Sequence, residues 1–319
     1  MAERPEKLLL LDTASLYFRA FFGVPESVRA PDGTPVNAVR GLLDMIARLV
    51  VDHRPGRLVA CWDDDWRPAF RVEAIPSYKA HRVATPVPGT TGLEDVPAAL
   101  AAQVPIIVEV LAALGIARVG VPGYEADDVI GTFVAREVAR PAGERSAVDV
   151  VTGDRDLFQL VDDTVPVRVL YPVKGVKELE VVDVARLREK YAVASGPAYA
   201  DMAALRGDPS DGLPGVPGIG EKTAAALVGR YGSLAGVLAA RDAGDPGLTA
   251  TQRRRLEEAA DYLRVAPLVV RVASDAPVGN VDDRLPLTPV DPDALVALAG
   301  RWGLTSSVTR LLDALTSVA

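Results

Sequence analysis

Carboxylates that follow strand-like runs are the residues of this sequence best suited to chemistry. Asp12 ends the run LLLLD, Asp63 follows RLVACW, and Asp154 follows VDVVTG. Parallel strands end at the same edge of a sheet, and reactive side chains gather beyond that edge. If the three strands are neighbours, their acids meet there, and the sequence predicts one acidic site.

Six more acids could join that site, three in the predicted first turn of a helix and three around a strand end and a later loop. They are Glu125, Asp127, Asp128, Asp156, Asp208 and Asp211. At helical spacing Glu125 and Asp128 share a face. Taken singly, such an acid is more often a helix cap or a dipole partner, so the prediction depends on the whole set. Nine converging carboxylates would repel one another unless cations neutralise them.

The available ligand types indicate which cations those are. The chain has two histidines and one cysteine, so oxygen donors dominate. Oxygen ligands favour Mg²⁺ or Mn²⁺ over zinc. Two such ions about 4 Å apart can activate water and stabilise the departing oxygen in phosphodiester hydrolysis. We therefore expect a hydrolase that uses two or more Mg²⁺ or Mn²⁺ ions.

Composition excludes several other kinds of protein. Neither His53 nor His81 lies in a nucleophile motif, and the single Cys61 excludes an internal disulfide framework. No apolar run reaches about 18 residues and no signal-peptide pattern is present, so we expect a cytoplasmic protein without a membrane partner. Acidic residues outnumber basic ones, 43 to 35, for a net charge of −8. That charge alone argues weakly against nucleic acid, but the two signs are segregated along the chain.

A basic and aromatic segment follows the Asp63 strand. Residues 66–97 combine these side chains with proline and glycine and show no clear period, which is typical of a functional loop or lid. The residues expected to hold a single strand are Arg67, Phe70, Arg71, Tyr78, Lys79 and Arg82. Aromatic rings can stack on unpaired bases, and cations over the acids can stabilise a reacting phosphate. A solvated surface loop is the alternative interpretation.

The segment GVPGIGEKT at 215–223 first suggests a phosphate-binding P-loop. It departs from that motif because Glu221 stands where lysine must follow the second glycine, and no strand precedes it. A helix–hairpin–helix turn is the better interpretation, with glycines that let the backbone approach a DNA phosphate and helix amides that face the anion. The residues expected to contact DNA are Gly215, Gly218, Gly220, Lys222 and Thr223. The alternative is a plain glycine-capped turn.

The elements between these motifs predict the fold class. Strand-like runs lie at 7–12, 57–63, 116–121 and 148–152. Helical spacing lies at 37–51, 97–114 and 125–138, and the charged run 251–264 is also expected to be a helix. This alternation predicts an α/β fold with a mostly parallel sheet and helices on both faces, and the chain reads as nearly all helical from about Asp183. We expect a nuclease domain over residues 1–182 with a lid at 66–97, and a helical domain over 183–319 with the hairpin turn at 205–231.

Together these motifs resemble the 5′-nuclease family, which includes the 5′-nuclease domains of bacterial DNA polymerase I, phage 5′ exonucleases and flap endonucleases. The likeness covers roughly residues 7–240 and is carried by LLLLDTASLYFRAFF, WDDDWRPAFR, SYKAHR, GYEADDVIG, TGDRDLFQL and GDPSDGLPGVPGIGEKTAAAL. It implies a PIN-like domain with a helical arch over the site and a helix–three-turn–helix module that binds duplex DNA. No polymerase domain follows in this sequence, so we expect a separate exonuclease or a fragment.

The resemblance also implies residue roles. The expected ligands of one metal are Asp12, Asp63, Glu125 and Asp127. Those of the second are Asp154, Asp156, Asp208 and Asp211, with Asp128 beside them. Lys79 and Arg82 match basic positions of the arch, Arg19 matches a basic residue near the first acid, and backbone carbonyls at 216–219 match a K⁺ site. Thr13 and Gly212 depart from the usual glycine and asparagine without removing a ligand.

The expected activity is hydrolysis of DNA phosphodiesters near free 5′ ends, as a structure-selective 5′-3′ exonuclease and flap endonuclease in primer removal and repair. Expected substrates are 5′ flaps, nicked or gapped duplexes and 5′ overhangs, with RNA-primed ends as further candidates, and the protein is expected to be a monomer. Two alternatives remain open at this point. One is a PIN-type ribonuclease, and the other is a non-catalytic module that binds duplex DNA through the hairpin turn.

Overall fold

The strands form one large sheet and one small one. The computed structural model describes residues 6–87 and 89–318, whose strands are β1 (Leu8–Asp12), β2 (Arg57–Cys61), β3 (Val83–Thr85), β4 (Leu93–Glu94), β5 (Ala117–Val119), β6 (Val148–Val151), β7 (Val167–Pro172) and β8 (Leu179–Val182). The large sheet has the order β5–β2–β1–β6–β7–β8, and β3 pairs with β4. In the large sheet only the β7–β8 pair is antiparallel. The expected mostly parallel sheet is confirmed.

Helices pack on both faces of the large sheet. They are α1 (Thr13–Gly23), α2 (Asn37–His53), α3 (Ala69–Ala74), α4 (Ala98–Ala101), α5 (Val104–Leu114), α6 (Ala126–Ala139), α7 (Val184–Tyr191), α8 (Gly196–Arg206), α9 (Glu221–Tyr231), α10 (Leu234–Asp242), α11 (Ala250–Glu258), α12 (Ala260–Val270), α13 (Pro292–Trp302) and α14 (Thr305–Ser317). Strand β1 is buried throughout because both its faces are covered. Leu8 and Leu10 belong to one apolar cluster, and Leu9 and Leu11 to the other.

Strand register sets the position of the acidic edge. Strand β1 lies between β2 and β6, with Asp12 opposite Cys61 and Leu11 opposite Val151. The residues that follow β2 and β6, including Asp63 and Asp154, therefore leave the sheet at the level of Asp12. The expectation that these three strands are neighbours is confirmed.

Two helices expected from the sequence are each divided. The run 97–114 forms α4 and α5, because Pro105 has no N–H to donate and its ring would clash with the carbonyl of Ala101 in a continuous helix. The charged run 251–264 forms α11 and α12, which meet where Ala259 departs from helical geometry. Both changes leave the predicted fold class intact.

The last two helices return to the first part of the chain. Helix α13 packs on α5, and α14 packs on α2. Val308 and Leu311 share a buried cluster with Leu9 and Leu11 of β1. These late helices therefore help to bury the large sheet, and the expected division into residues 1–182 and 183–319 stays a prediction.

The lid (residues 66–97) lies between β2 and α4. Its regular structure is α3, a 3₁₀ turn at Ala80–Arg82 and the β3–β4 hairpin. The resemblance implies a helical arch here, whereas α3 has only six residues. The lid is therefore built mainly from a hairpin and turns.

Within the described residues, no single helix is long and apolar enough to span a membrane. Helices α9 and α10 reach that length and composition only as a pair bent by 80°.

Candidate active site

A cleft of about 2100 Å³ opens at the carboxyl edge of β1, β2 and β6. Most of the expected metal ligands line it, namely Asp12, Asp63, Glu125, Asp127, Asp154, Asp156 and Asp208. Asp211 lines a small adjoining cavity, and Asp128 lines neither space. The fold therefore brings together the carboxylates of three strand ends, one helix start and one turn.

Asp12 connects the ends of two strands. One oxygen accepts a hydrogen bond from the Ser15 amide at 3.1 Å and so caps α1, and the other accepts from the Thr152 hydroxyl at 2.6 Å. Burial, with a further contribution from the neighbouring charge of Asp63, raises the pKa of Asp12 to about 7. The backbone thus holds this carboxylate at the sheet edge even though its environment disfavours the charge.

The start of α6 brings further acids beside Asp12. Asp63 accepts a hydrogen bond from the Ala126 amide at 2.7 Å, which joins the end of β2 to this helix. Burial raises the pKa of Asp63 to about 6. The pKa of Asp127 lies well above its usual value because of burial and the charges of Asp154 and Asp12.

The second group of acids follows β6 and α8. An oxygen of Asp154 accepts from the Asp156 amide at 2.8 Å, and Asp208 accepts from the Ser210 amide at 2.8 Å. Burial and the charges of Asp154, Asp211 and Asp208 hold the pKa of Asp156 well above its usual range. These acids therefore repel one another across the cleft.

This donor set fits divalent ions that prefer oxygen. Among the described residues that line the cleft there is no histidine or cysteine, and cations would remove the repulsion that adds to burial in raising these pKa values. Within residues 6–87 and 89–318, no three potential ligands stand close enough to form a ready-made cage. Metal binding would therefore draw the carboxylates together.

Asp128 is the one expected ligand whose role the structure corrects. The residue is fully buried, and its two oxygens accept from Arg71 at 2.6 and 2.8 Å, from the Ala273 amide at 2.7 Å and from the Glu125 amide at 3.1 Å. Glu125 and Asp128 together form a capping box at the start of α6. With both oxygens occupied and no access to the cleft, Asp128 is a structural residue.

Arg71 is likewise a structural residue and does not offer a surface to DNA. Its side chain is 2% exposed, pairs with Glu125 and Asp128, and donates to the Val269 carbonyl at 3.2 Å. This guanidinium therefore joins the lid to α6 and to the end of α12. It also fixes one oxygen of Glu125.

Arg67 and Tyr78 are also buried inside the lid. Arg67 donates to the carbonyls of Tyr78 at 2.6 Å, Thr91 at 2.9 Å and Pro76 at 3.0 Å, so it binds both ends of the lid together. The Tyr78 hydroxyl donates to Glu125 at 2.8 Å. Neither side chain is free for nucleic acid in this structure, which corrects the expected DNA contacts.

Phe70 lies between lid and body. Its ring is partly exposed and packs near Tyr124, with ring centres 6.0 Å apart. Its expected contact with DNA stays a prediction.

Lys79 and Arg82 stand over the acids. The Lys79 ammonium pairs with Glu125 and donates to the Trp66 carbonyl at 3.3 Å. Arg82 donates to Asp211 at 2.5 Å and to the Ser210 carbonyl at 2.9 Å. Both line the cleft. Their position agrees with the expectation from the sequence, and their catalytic role stays a prediction.

Arg19 reaches the cleft beside Gly153. A side chain on Gly153 would place its Cβ 2.7 Å from an Arg19 nitrogen, so glycine leaves room for the guanidinium. The Arg19 Nε is buried and has no hydrogen-bond partner in the described part of the chain. Because Arg19 lines the cleft, its guanidinium can donate hydrogen bonds to an anion there.

The hairpin turn is built on glycines, and Gly215 is buried against the backbone of Arg206 and Gly207, which corrects its expected contact with DNA. Gly215 has a φ of +63° and Gly218 has a φ of +77°, and residues other than glycine rarely adopt such angles. Helix α9 begins after Gly220 with no side-chain cap, so its first amides point outward. Lys222 is exposed and Thr223 is partly exposed at the same end.

Two residues of the cleft carry no clear signal in the sequence. Glu94 reaches it from β4 in the lid hairpin, and burial raises the pKa of Glu94. Arg206 ends α8 and donates to Glu221 at 3.1 Å, so it connects the acidic edge to the start of α9. Only the tertiary fold places either residue here.

Two protein-family models together match most of the chain. Residues 7–192 match the model described as 5′-3′ exonuclease, N-terminal resolvase-like domain, and residues 195–293 match 5′-3′ exonuclease, C-terminal SAM fold. The chain belongs to the 5′-3′ exonuclease family. The expected class of enzyme, a metal-dependent 5′-3′ exonuclease, is thereby confirmed.

Relatives within this family match nearly the full chain. A protein of Streptomyces coelicolor named 5′-3′ exonuclease is 65% identical over 309 residues, which are 97% of this chain and 100% of that protein. One of Mycobacterium tuberculosis with the same name is 52% identical over 97% of both chains. DNA polymerase I of Mycobacterium bovis is 40% identical over 97% of this chain and 32% of its own length.

Solved structures show the same fold at low sequence identity. The T5 5′-exonuclease with bound zinc is 17% identical, with a TM-score of 0.60 over 98% of both chains. The catalytic core of Rad2 in complex with DNA substrate is 17% identical, with a TM-score of 0.57 over 98% of this chain and 93% of the other. The fold expected of a 5′-3′ exonuclease is thus confirmed.

Proposed function

We propose that this 5′-3′ exonuclease hydrolyses DNA phosphodiesters near free 5′ ends and also releases 5′ flaps, in primer removal and repair. The observation that carries this proposal is the cleft, where acids from three strand ends and α6 lie beneath two lid cations. Its substrates include 5′ flaps, nicked or gapped duplexes and 5′ overhangs, with RNA-primed ends as further candidates. The protein acts as a monomer in the cytoplasm.

The metal ligands of the proposal fall into two groups. Asp12, Asp63, Glu125 and Asp127 would hold one Mg²⁺ or Mn²⁺ ion. Asp154, Asp156, Asp208 and Asp211 would hold the second. The chemistry that such ions supply is activation of water and neutralisation of charge on the scissile phosphate.

Protein side chains then position the nucleic acid. Lys79, Arg82 and Arg19 contact phosphate oxygens near the bond that breaks, where fixed positive charge stabilises the transition state. The hairpin turn, with Lys222, holds the backbone of the adjoining duplex without reading its sequence. A K⁺ ion at the carbonyls of 216–219 would strengthen that contact, in competition with Arg255, which donates to the Gly218 carbonyl at 2.9 Å.

A labelled 5′-flap duplex tests the proposal. In Mg²⁺ or Mn²⁺ we expect cleavage at or near the junction, together with short products from recessed 5′ ends, and none of either in excess EDTA. Full cleavage in EDTA would contradict the metal assignment. Preferential cutting of single-stranded RNA would instead identify a ribonuclease, and tight flap binding without cleavage would identify a binding module.

A further inference from the structure

Both lid cations are paired with acids in this structure. Lys79 pairs with Glu125 in a contact where the two side chains are 15% and 5% exposed, and Arg82 pairs with Asp211. The Lys79 amide also donates to the Asp211 carbonyl at 2.9 Å, and the Ser77 hydroxyl donates to the Gly212 carbonyl at 2.7 Å. The lid is thus held down on the acidic edge by the residues expected to contact DNA.

The two carboxylate oxygens of Glu125 have different partners. One of its oxygens accepts from Arg71 and from the Tyr78 hydroxyl, both buried. The other oxygen faces Lys79. A metal that binds the free lone pair of this oxygen would therefore share the oxygen with the Lys79 ammonium, and the two cations would repel each other.

The backbone conformation of Lys79 indicates that surrounding contacts hold this part of the lid in place. Lys79 has φ of +48°, a left-handed conformation that residues other than glycine and asparagine seldom adopt. Such a conformation persists where surrounding contacts hold it. Here the ion pair with Glu125 and the contact with Asp211 supply those contacts.

We propose that Lys79 is an exchangeable counter-ion of the metal site: a divalent ion displaces it from Glu125 and thereby frees the lid to bind a phosphate. This inference rests on the proposed function, because it takes Glu125 as a metal ligand. Metal binding would then loosen part of the lid before DNA arrives. Arg71 and Arg67, whose partners are not exchanged, keep the base of the lid in place.

The apparent affinity for the metal should be lowered to its intrinsic value multiplied by the fraction of protein molecules in which Lys79 does not occupy Glu125. Lys79→Ala removes this competition and should bind Mn²⁺ roughly tenfold more tightly in the absence of DNA. Arg82→Ala should show a smaller gain, about two- to threefold, because the Arg82–Asp211 pair is more exposed to solvent than the Lys79–Glu125 pair. Cleavage should fall in both variants despite tighter metal binding.

Calorimetric titration with Mn²⁺, without DNA, tests the exchange. Lys177→Ala is the matched control, since Lys177 is an exposed lysine that lines the same cleft. We expect Lys177→Ala to match the wild type. Equal gains in Lys79→Ala and Lys177→Ala would reduce the effect to general electrostatics and overturn the exchange, as would unchanged or weaker binding in Lys79→Ala.

Hydrogen exchange of the wild-type protein gives a second measurement that does not depend on a variant folding well. Mn²⁺ should speed exchange of amides at 79–87 and leave those at 67–75 unchanged. Slower exchange at 79–87 would overturn the inference. A wild type that binds no Mn²⁺, or an Asp154→Asn variant that binds it equally well, would instead contradict the proposed metal site itself.

Discussion

The two ends of the large sheet treat buried charge in opposite ways. At the amino end, Asp149 of β6 is nearly inaccessible and is surrounded by Lys7, His53 and Arg168, the last at 2.6 Å. Although burial acts against it, the hydrogen bonds from His53 and Arg168 lower the pKa of Asp149. At the carboxyl end, burial and mutual repulsion raise the pKa values of the acids.

The difference separates a structural use of charge from a functional one. Balanced ion pairs at the amino end stabilise the sheet and leave no position for a ligand. Excess negative charge at the carboxyl end costs stability, and cations that bind there recover it. The same strand, β6, contributes to both ends, so the contrast comes from the partners and not from the element.

Asp127→Asn should produce the largest effect. The substitution removes one proposed ligand and should lower the single-turnover cleavage rate roughly a thousandfold or more, about 4 kcal/mol, while flap binding largely survives. The metal-free variant should be no less stable than the wild type, because it removes repulsion. Cleavage time courses and denaturant titration measure the two quantities.

Asp64→Asn is the control for that experiment. Asp64 is an exposed acid on the rim of the same cleft and faces Arg118 at 3.5 Å. Loss of its charge should change cleavage only slightly. A comparable loss in both variants would mean that the overall charge of the cleft matters and that Asp127 is not a ligand.

Asp149→Asn should show the reverse pattern. It leaves Lys7 and Arg168 without their buried partner and should lower the free energy of unfolding by about 2–3 kcal/mol, less than for a fully enclosed pair because both cations can reach solvent. Cleavage per folded molecule should stay near the wild-type value. A variant with full stability and poor cleavage would reverse the roles assigned to the two ends.

The pH dependence of stability follows from the raised pKa values. The folded protein binds more protons than the unfolded chain between about pH 4 and the folded pKa values of about 7 for Asp12 and about 6 for Asp63. Its stability in EDTA should therefore fall as pH rises through that window. Asp149, with its lowered pKa, acts in the opposite direction and only below about pH 4.

Thermal unfolding at pH 5 and pH 8, with EDTA or Mn²⁺, measures this dependence. In EDTA the melting temperature should be lower at pH 8, and Mn²⁺ should raise it more at pH 8 than at pH 5, since protons compete with the ion. Asp127→Asn should flatten the profile in EDTA. A profile that rises from pH 5 to pH 8 would show that the acids are not under the strain inferred here.

The acidic edge of the sheet could be predicted from the sequence because local patterns determine it. Buried strand runs that end in Asp12, Asp63 and Asp154 predict both the parallel sheet and the meeting point of the acids. A signal for Asp128 was also present, since an acid in the first turn of a helix is more often a cap or a dipole partner than a ligand.

The lid could not be predicted in the same way. Arg67, Arg71 and Tyr78 have the composition of an exposed basic loop, yet all three are buried. The partners of Arg71 lie 57 residues away at Asp128 and 198 residues away at Val269. Such pairings depend on the tertiary fold, and no local period in the sequence reports them.

The hairpin turn extends the comparison to an exposed cation and should show the smallest effect. Lys222 is exposed and has no ion-pair partner in the part of the chain that the structure describes, in contrast to Lys190, which pairs with Glu180 at 3.0 Å. If Lys222 contacts one phosphate, Lys222→Ala should lower the slope of log affinity against log salt by at most about one. Affinity should fall equally for duplexes of different sequence, because a backbone contact carries no base information. Lys190→Ala, which removes the same charge from α7, should leave the slope unchanged. Binding of flap duplexes over a range of salt, followed by fluorescence anisotropy in Ca²⁺ to prevent cleavage, gives both slopes. An equal change in the two variants would mean that duplex DNA senses only the net charge, and the turn would then lose its place as the duplex contact.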